Sequence, residues 1–218
     1  LQTSSDSFHG QIPTILKINS SNTLATSLDQ AVTGSIDDAL KLGCAAIGFT
    51  IYPGSDHNFS LMEEYRELSH EAKAKGLAVV LWAYARGTNI SKKGETAMNI
   101  ISYAAHMSAL LGANIIKVKL PSDFLEEDPT KAAFENNKIA IGSLQERVAH
   151  IKKVAFEGKR LVVFSGGDAK DDNALMEETK AIHFGGGNGS IIGRNCFQRT
   201  RQDSIALLDQ MIQIYKSK

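Results

Sequence analysis

The sequence predicts an α/β fold of the (β/α)8 TIM-barrel kind, with the first one or two strand–helix units missing from this chain. Three observations predict it. Apolar, β-branched runs alternate with stretches of helical periodicity along the whole chain. Glycine follows four helical stretches just before the next strand-like run or close to it (Gly43, Gly76, Gly112, Gly158), as C-terminal caps do. Polar residues suited to chemistry fall at the C-terminal end of strand after strand. A barrel distributes its site in that way, whereas an open doubly wound sheet gathers it at one switch point.

The elements justify this in order. Thr14 to Asn19 is a short apolar strand whose end carries Lys17 and Asn19, and Ser35 to Leu42 is a short amphipathic helix. Ala45 to Tyr52 reads as a buried strand, and Leu61 to Lys75 as a helix with one face rich in glutamate and lysine. Leu77 to Tyr84 is the next strand, with Trp82, Tyr84 and Arg86 alternating on one face at its end. Thr96 to Leu111 is apolar nearly all round, which predicts a buried helix leading into the strand Asn114 to Leu120. Helices over Ser143 to Phe156, Asp172 to Phe184 and Ser204 to Tyr215 enclose strands over Leu161 to Ser165 and Gly189 to Gly193. The acidic runs Glu126-Glu127-Asp128 and Asp171-Asp172 read as solvated loops, and Gly185 to Gly189 as a flexible turn at the rim away from the chemistry. A barrel of this kind typically takes about 250 residues. With 218 residues and six such strands, the chain reads as a single domain in which Thr14 to Asn19 is the third strand.

Bulk properties narrow the function. A formal net charge of +0 and the lack of any basic block argue against nucleic-acid binding. No apolar run approaches a membrane span, and the polar opening Leu1 to Asp6 does not resemble a signal peptide. Cys44 and Cys196 form no metal or redox motif and read as small core residues of a cytoplasmic protein. The six histidines show no ligand spacing, so neither a metal nor any other cofactor is expected.

The most informative run is Ile115-Ile116-Lys117-Val118-Lys119, because charged side chains are costly inside a buried strand. Residues two apart share a face, about 6.6 Å from each other. Two ammonium groups at that distance repel by about 2.5 kcal/mol in an effective dielectric of roughly 20. Repulsion and desolvation together pull one amine well below its ordinary pKa of about 10.4. A neutral lysine facing a pocket can attack a carbonyl and form a Schiff base. The competing reading is one lysine in an ion pair and the other reaching solvent. Tyr84 beside such a lysine could move a proton, although aromatic strand residues more often simply pack. Gly166 and Gly167 follow Ser165 at a strand end, where their N–H groups can face a phosphate, and Arg194 after Gly193 could clamp the same group. The alternative there is two tight turns and a solvated arginine.

Together, Leu81-Trp82-Ala83-Tyr84-Ala85-Arg86, Ile116-Lys117-Val118-Lys119, Ser165-Gly166-Gly167 and Gly193-Arg194-Asn195 resemble the class I fructose-bisphosphate aldolases of the bacterial and archaeal type. The stretches Ile15 to Asn19 and Ala46 to Ser55 are similar too, so the resemblance runs from about Pro13 to Phe197. It implies a (β/α)8 barrel acting without a metal on a phosphorylated sugar. Lys117 matches the Schiff-base lysine and Tyr84 the catalytic tyrosine, with Lys119 beside them and Trp82 in the same pocket. Ser165, Gly166, Gly167, Gly193 and Arg194 match the phosphate-binding segments. It also implies a homo-oligomer, often a pentamer of dimers. The departure is at the start, where the family's first strand ends in an aspartate within an Asp-Gln-Gly-like motif and this chain shows no such strand before Thr14. Related lysine barrels (dideoxyheptulosonate synthases and a thiolase acting on a phosphorylated autoinducer product) and a non-catalytic phosphate-binding subunit are the alternatives.

Overall fold

A computed structural model describes residues 10–167 and 170–217, so the polar opening and His9 lie outside the described residues. Six parallel strands form its main sheet: β1 (Ile15–Lys17), β4 (Ala46–Ile51), β5 (Ala78–Ala83), β6 (Ile115–Lys119), β7 (Leu161–Ser165) and β8 (Gly189–Ile191). Their spatial order is β1-β4-β5-β6-β7-β8, which is simply chain order. A doubly wound sheet would reverse direction part-way; an uninterrupted order is the winding of a (β/α)8 barrel. The described sheet is therefore a six-stranded barrel arc with β1 and β8 at its two margins.

Between β1 and β4 come the two-residue strands β2 (Asn19–Ser20) and β3 (Ala31–Val32), then helix α1 (Ile36–Lys41). The remaining helices are α2 (Asn58–Ala74), α3 (Met98–Leu110), α4 (Asp128–Asn136), α5 (Leu144–Val154), α6 (Asp172–Phe184), α7 (Arg194–Phe197) and α8 (Arg201–Lys216), with a 3-10 turn over Gly94–Thr96.

Local chemistry sets these boundaries. Ser35 and Ser143 each complete a capping box with Asp38 and Glu146, and Asp171 and Thr200 accept from the first turns of α6 and α8. Gly43, Gly76, Gly112 and Gly158 take positive φ behind their helices, a conformation that a Cβ penalises. Strand residues alternate in role. Ile47, Phe49 and Ile51 of β4, Val79, Leu81 and Ala83 of β5, Ile116 and Val118 of β6 and Val162 and Phe164 of β7 are all fully buried in the core shared with the helices. The intervening residues, among them Gly48, Trp82, Lys117, Lys119 and Ser165, face the inside of the arc.

Four local readings need correction. Asn19 leaves the main sheet to pair antiparallel with Val32, and its buried amide clamps β4 instead, donating to the Thr50 carbonyl and accepting from the Thr50 N–H, both at 2.8 Å. The acidic runs are exposed apart from Glu126, as expected, but they cap and brace their surroundings instead of forming plain loops. Asp171 caps α6, Pro129 stands in the first turn of α4 straight after Asp128, and Glu126 accepts from the Ser91 backbone and hydroxyl at 2.7 and 2.8 Å. Gly185 to Gly189 is a packed turn, because a Cβ at Gly185 would lie 2.7 Å from Val148 and one at Gly187 2.6 Å from Ile182. Cys44 is a buried residue as expected, but Cys196, on helix α7, is only partly buried.

Candidate active site

The C-terminal ends of β5 to β8 enclose a cavity of about 680 Å³. Residues Tyr84, Lys117, Lys119, Ser165, Gly166, Gly167, Gly193 and Arg194 all line it. Strand register explains why they meet. Trp82 is level with Lys117 and Lys117 with Val163, while one layer nearer the rim Lys119 is level with Ser165 and Ser165 with Ile191. Trp82 does not line the cavity but flanks it. Its ring centre is 5.7 Å from Lys117 Nζ, and it lies so close to β4 that a Cβ on Gly48 would sit 2.2 Å from it.

Lys117 is 8% exposed, with its Nζ also 5.8 Å from the centre of the Tyr84 ring. Burial lowers its pKa to about 8. About a tenth of the amine is then neutral at pH 7, against less than a thousandth for an ordinary lysine. The cause differs from the repulsion argument, because the Lys119 ammonium is compensated by an ion pair with Glu95 at 2.6 Å. Thus the first half of the competing reading holds, since Lys119 is paired, but the second does not, since Lys117 is buried. Tyr84 moves the other way. Burial pushes its phenol up to about 12, against the opposing effects of Arg86 and the Ser165 side chain, so it keeps its proton at neutral pH.

The β7 and β8 ends are braced against each other. Asn195, buried on α7, donates to the Gly166 carbonyl at 3.2 Å and accepts from the Lys170 backbone N–H at 2.8 Å. The Arg194 guanidinium, exposed at the start of α7, donates to the Gly167 carbonyl at 3.4 Å. Gly167 has a φ of 66°. The last strand stops at Ile191, short of the expected Gly193, and Arg194 begins a short helix.

Sequence patterns missed other members. Lys92, Glu95 and Lys170 also line the cavity, from loops whose approach depends on tertiary packing. Arg86 lines it too, with its guanidinium 5.5 Å from the centre of the Tyr52 ring and its buried Nε without a hydrogen-bond partner. Lys17 has a comparable pKa of about 8 from burial, but its amine is engaged by the Asn19 carbonyl, the Asn19 side chain and Gln30 Oε1. Among the described residues, six cationic side chains thus line the cavity with one carboxylate, Glu95. That balance suits a ligand carrying several negative charges. Among the described residues no group of histidine, cysteine, aspartate and glutamate side chains is arranged to hold a metal ion, and no helix is long and apolar enough to cross a membrane.

Comparison with known proteins places the chain among aldolases. The class 1 fructose-bisphosphate aldolases of Thermoproteus tenax and of Halobacterium salinarum are each 31% identical over 194 residues, covering 88% of this chain and 64% of theirs. The chain thus spans less than two thirds of the length of these relatives. An archaeal fructose 1,6-bisphosphate aldolase crystal structure superimposes with a TM-score of 0.80 at 28% identity, over 98% of this chain and 75% of the other. A second archaeal structure, whose catalytic lysine is covalently bound to the carbinolamine intermediate of the substrate, gives 0.81 at 27% identity, over 99% and 76%. The model of the DeoC/LacD family aldolases matches residues 2–199, and the chain belongs to that family.

Proposed function

We propose that this chain carries a metal-independent aldolase reaction on fructose 1,6-bisphosphate, run through a Schiff base on Lys117. The observation that carries the reading is the burial of the Lys117 amine between Trp82 and Tyr84 at the edge of a cationic cavity.

Neutral Lys117 attacks the ketone carbon, and loss of water from the carbinolamine leaves a cationic iminium. The bond between carbons three and four breaks as its electron pair flows into the iminium. The carbon-four hydroxyl gives its proton to solvent water in the open cavity, glyceraldehyde 3-phosphate departs and an enamine remains. Tyr84, protonated at neutral pH, is the donor for return of a proton to carbon three. Hydrolysis then frees dihydroxyacetone phosphate and restores the amine. The Ser165-Gly166-Gly167 turn and Gly193-Arg194 are the seat for a phosphate, with Arg194 as its cationic contact. Lys119 stays charged next to the reacting amine. On this reading the enzyme serves glycolysis or gluconeogenesis in the cytoplasm and assembles as a homo-oligomer such as a decamer.

The test is trapping. Incubation with dihydroxyacetone phosphate and borohydride should leave a reduced adduct on the peptide carrying Lys117. An adduct confined to Lys119 or Lys17 would reassign the nucleophile, and no adduct at any lysine would remove the Schiff-base reading. Fructose bisphosphate cleavage, assayed alongside, distinguishes this substrate from those of the related lysine barrels.

A further inference from the structure

Glu95 belongs to no motif, yet among the described residues it is the one carboxylate lining the cavity. It sits in the 3-10 turn between β5 and α3, with only 14% of its side chain exposed. One carboxylate oxygen meets Lys119 at 2.6 Å and the other meets Lys92 at 3.0 Å. Burial pushes its pKa up, but the hydrogen bonds and charges of the two lysines outweigh this and hold it below the usual range. An ionised carboxylate with both oxygens engaged is poorly placed to accept a substrate proton.

The turn is held firmly. Ser122 donates to the Thr96 carbonyl through its N–H at 2.7 Å, and Glu126 lies so near that a Cβ on Gly94 would come within 2.5 Å of its carboxylate. Glu126 in turn grips Ser91 at the start of the turn. Glu95 is thereby delivered to one place.

We propose that Glu95 is a positioning residue that neutralises Lys119 and so sets the charge under which Lys117 reacts. The inference rests on the aldolase reading above. Among the described residues, Lys117 shares the cavity with Tyr84 and Arg86 from the end of β5, Lys119 on its own strand, Glu95 and Lys92 from the segment around the turn, Lys170 after β7 and Arg194 at the start of α7. All of these except Glu95 and the neutral phenol are cations. An uncompensated Lys119 would favour the neutral amine but oppose the cationic iminium that forms from it. Glu95 offsets that second effect and leaves burial to supply the first.

The test reads Lys117 directly. Competitive labelling with acetic anhydride across pH, quantified by peptide mass spectrometry, gives the midpoint at which its amine becomes reactive. Glu95→Gln should lower that midpoint by about 1 pH unit, and Lys119→Met should raise it. In parallel, Glu95→Gln should lower the steady-state yield of borohydride-trapped imine several-fold, although more of its amine is neutral. Unchanged midpoints in both variants, or shifts of the opposite sign, would overturn the proposal. If Glu95→Gln fails to fold, the direction of the Lys119→Met shift decides. Labelling needs no catalysis, so a wild-type protein that traps no imine would end the aldolase reading while the midpoints still judge Glu95.

Discussion

The Lys117 amine lies 5.8 Å from the centre of the Tyr84 ring, and the same burial drives their acidities apart. Burial disfavours whichever form is charged, so the lysine falls to about 8 while the phenol rises to about 12. Between those values one group is a free base and its neighbour a protonated acid. Imine formation needs the first, and protonation of an enamine needs the second.

A pH dependence follows. The neutral amine is the reactive form, so kcat/KM for fructose 1,6-bisphosphate should rise with pH and level off above about 8, where Lys117 has lost its proton. A pH–rate series in a constant-ionic-strength buffer checks this. An acidic limb near 10, where an ordinary lysine titrates, would show that burial is not tuning the amine.

The same shift bears on stability. A lysine with a depressed native pKa costs stability while it is charged, and the cost fades as pH rises from the native to the unfolded value. For Lys117 the full cost applies below about 8 and disappears by about 10.5. Lys117→Met should therefore abolish imine trapping yet stabilise the fold at pH 7 by up to about 3 kcal/mol. The gain should shrink as unfolding is repeated towards pH 10. A variant less stable than wild type at pH 7 would contradict the burial argument.

How far the sequence could be read depended on whether the signal was local. Strand and helix periodicity locates every parallel strand, and the alternation of Trp82 with Tyr84 and of Lys117 with Lys119 puts those side chains on one face. Missing from the pattern were elements too short to have a period, namely β2, β3 and α7, and α4, whose acidic opening resembles a loop. Charge was also misjudged locally. Nothing in the Lys-Val-Lys run reveals that Glu95, 24 positions before Lys119, neutralises it, because that pairing comes from a loop folding over the strand ends. Likewise, the glycines from Gly185 onwards suggested flexibility, but their spacing reflects the close approach of α5 and α6.

Tyr84→Phe separates the two roles of the pair. The ring that packs beside Lys117 is kept, so the adduct with dihydroxyacetone phosphate should still form. The proton donor is lost, and kcat for cleavage should fall by roughly 10²–10⁴-fold. Trapping yield and turnover measured on one preparation give both readings. Full turnover in the variant would move proton transfer to another group.

Arg194 is the residue that best separates substrate binding from folding. It stands exposed at the start of α7, with its guanidinium 3.4 Å from the Gly167 carbonyl at the mouth of the cavity. Asn195, buried and bonded to Gly166 and Lys170, does the structural work of that corner. Arg194→Ala should therefore leave unfolding free energy within about 0.5 kcal/mol of wild type, as surface substitutions usually do. Its KM for the bisphosphate should rise at least tenfold, since a charge-assisted contact to phosphate contributes about 1.5–3 kcal/mol. Asn195→Ala should do the reverse in part, destabilising the fold by about 1–3 kcal/mol through the polar groups it strands. Steady-state kinetics and urea unfolding on both variants check this. Unchanged KM in Arg194→Ala, or a loss of stability there equal to that of Asn195→Ala, would place the phosphate elsewhere in the cavity.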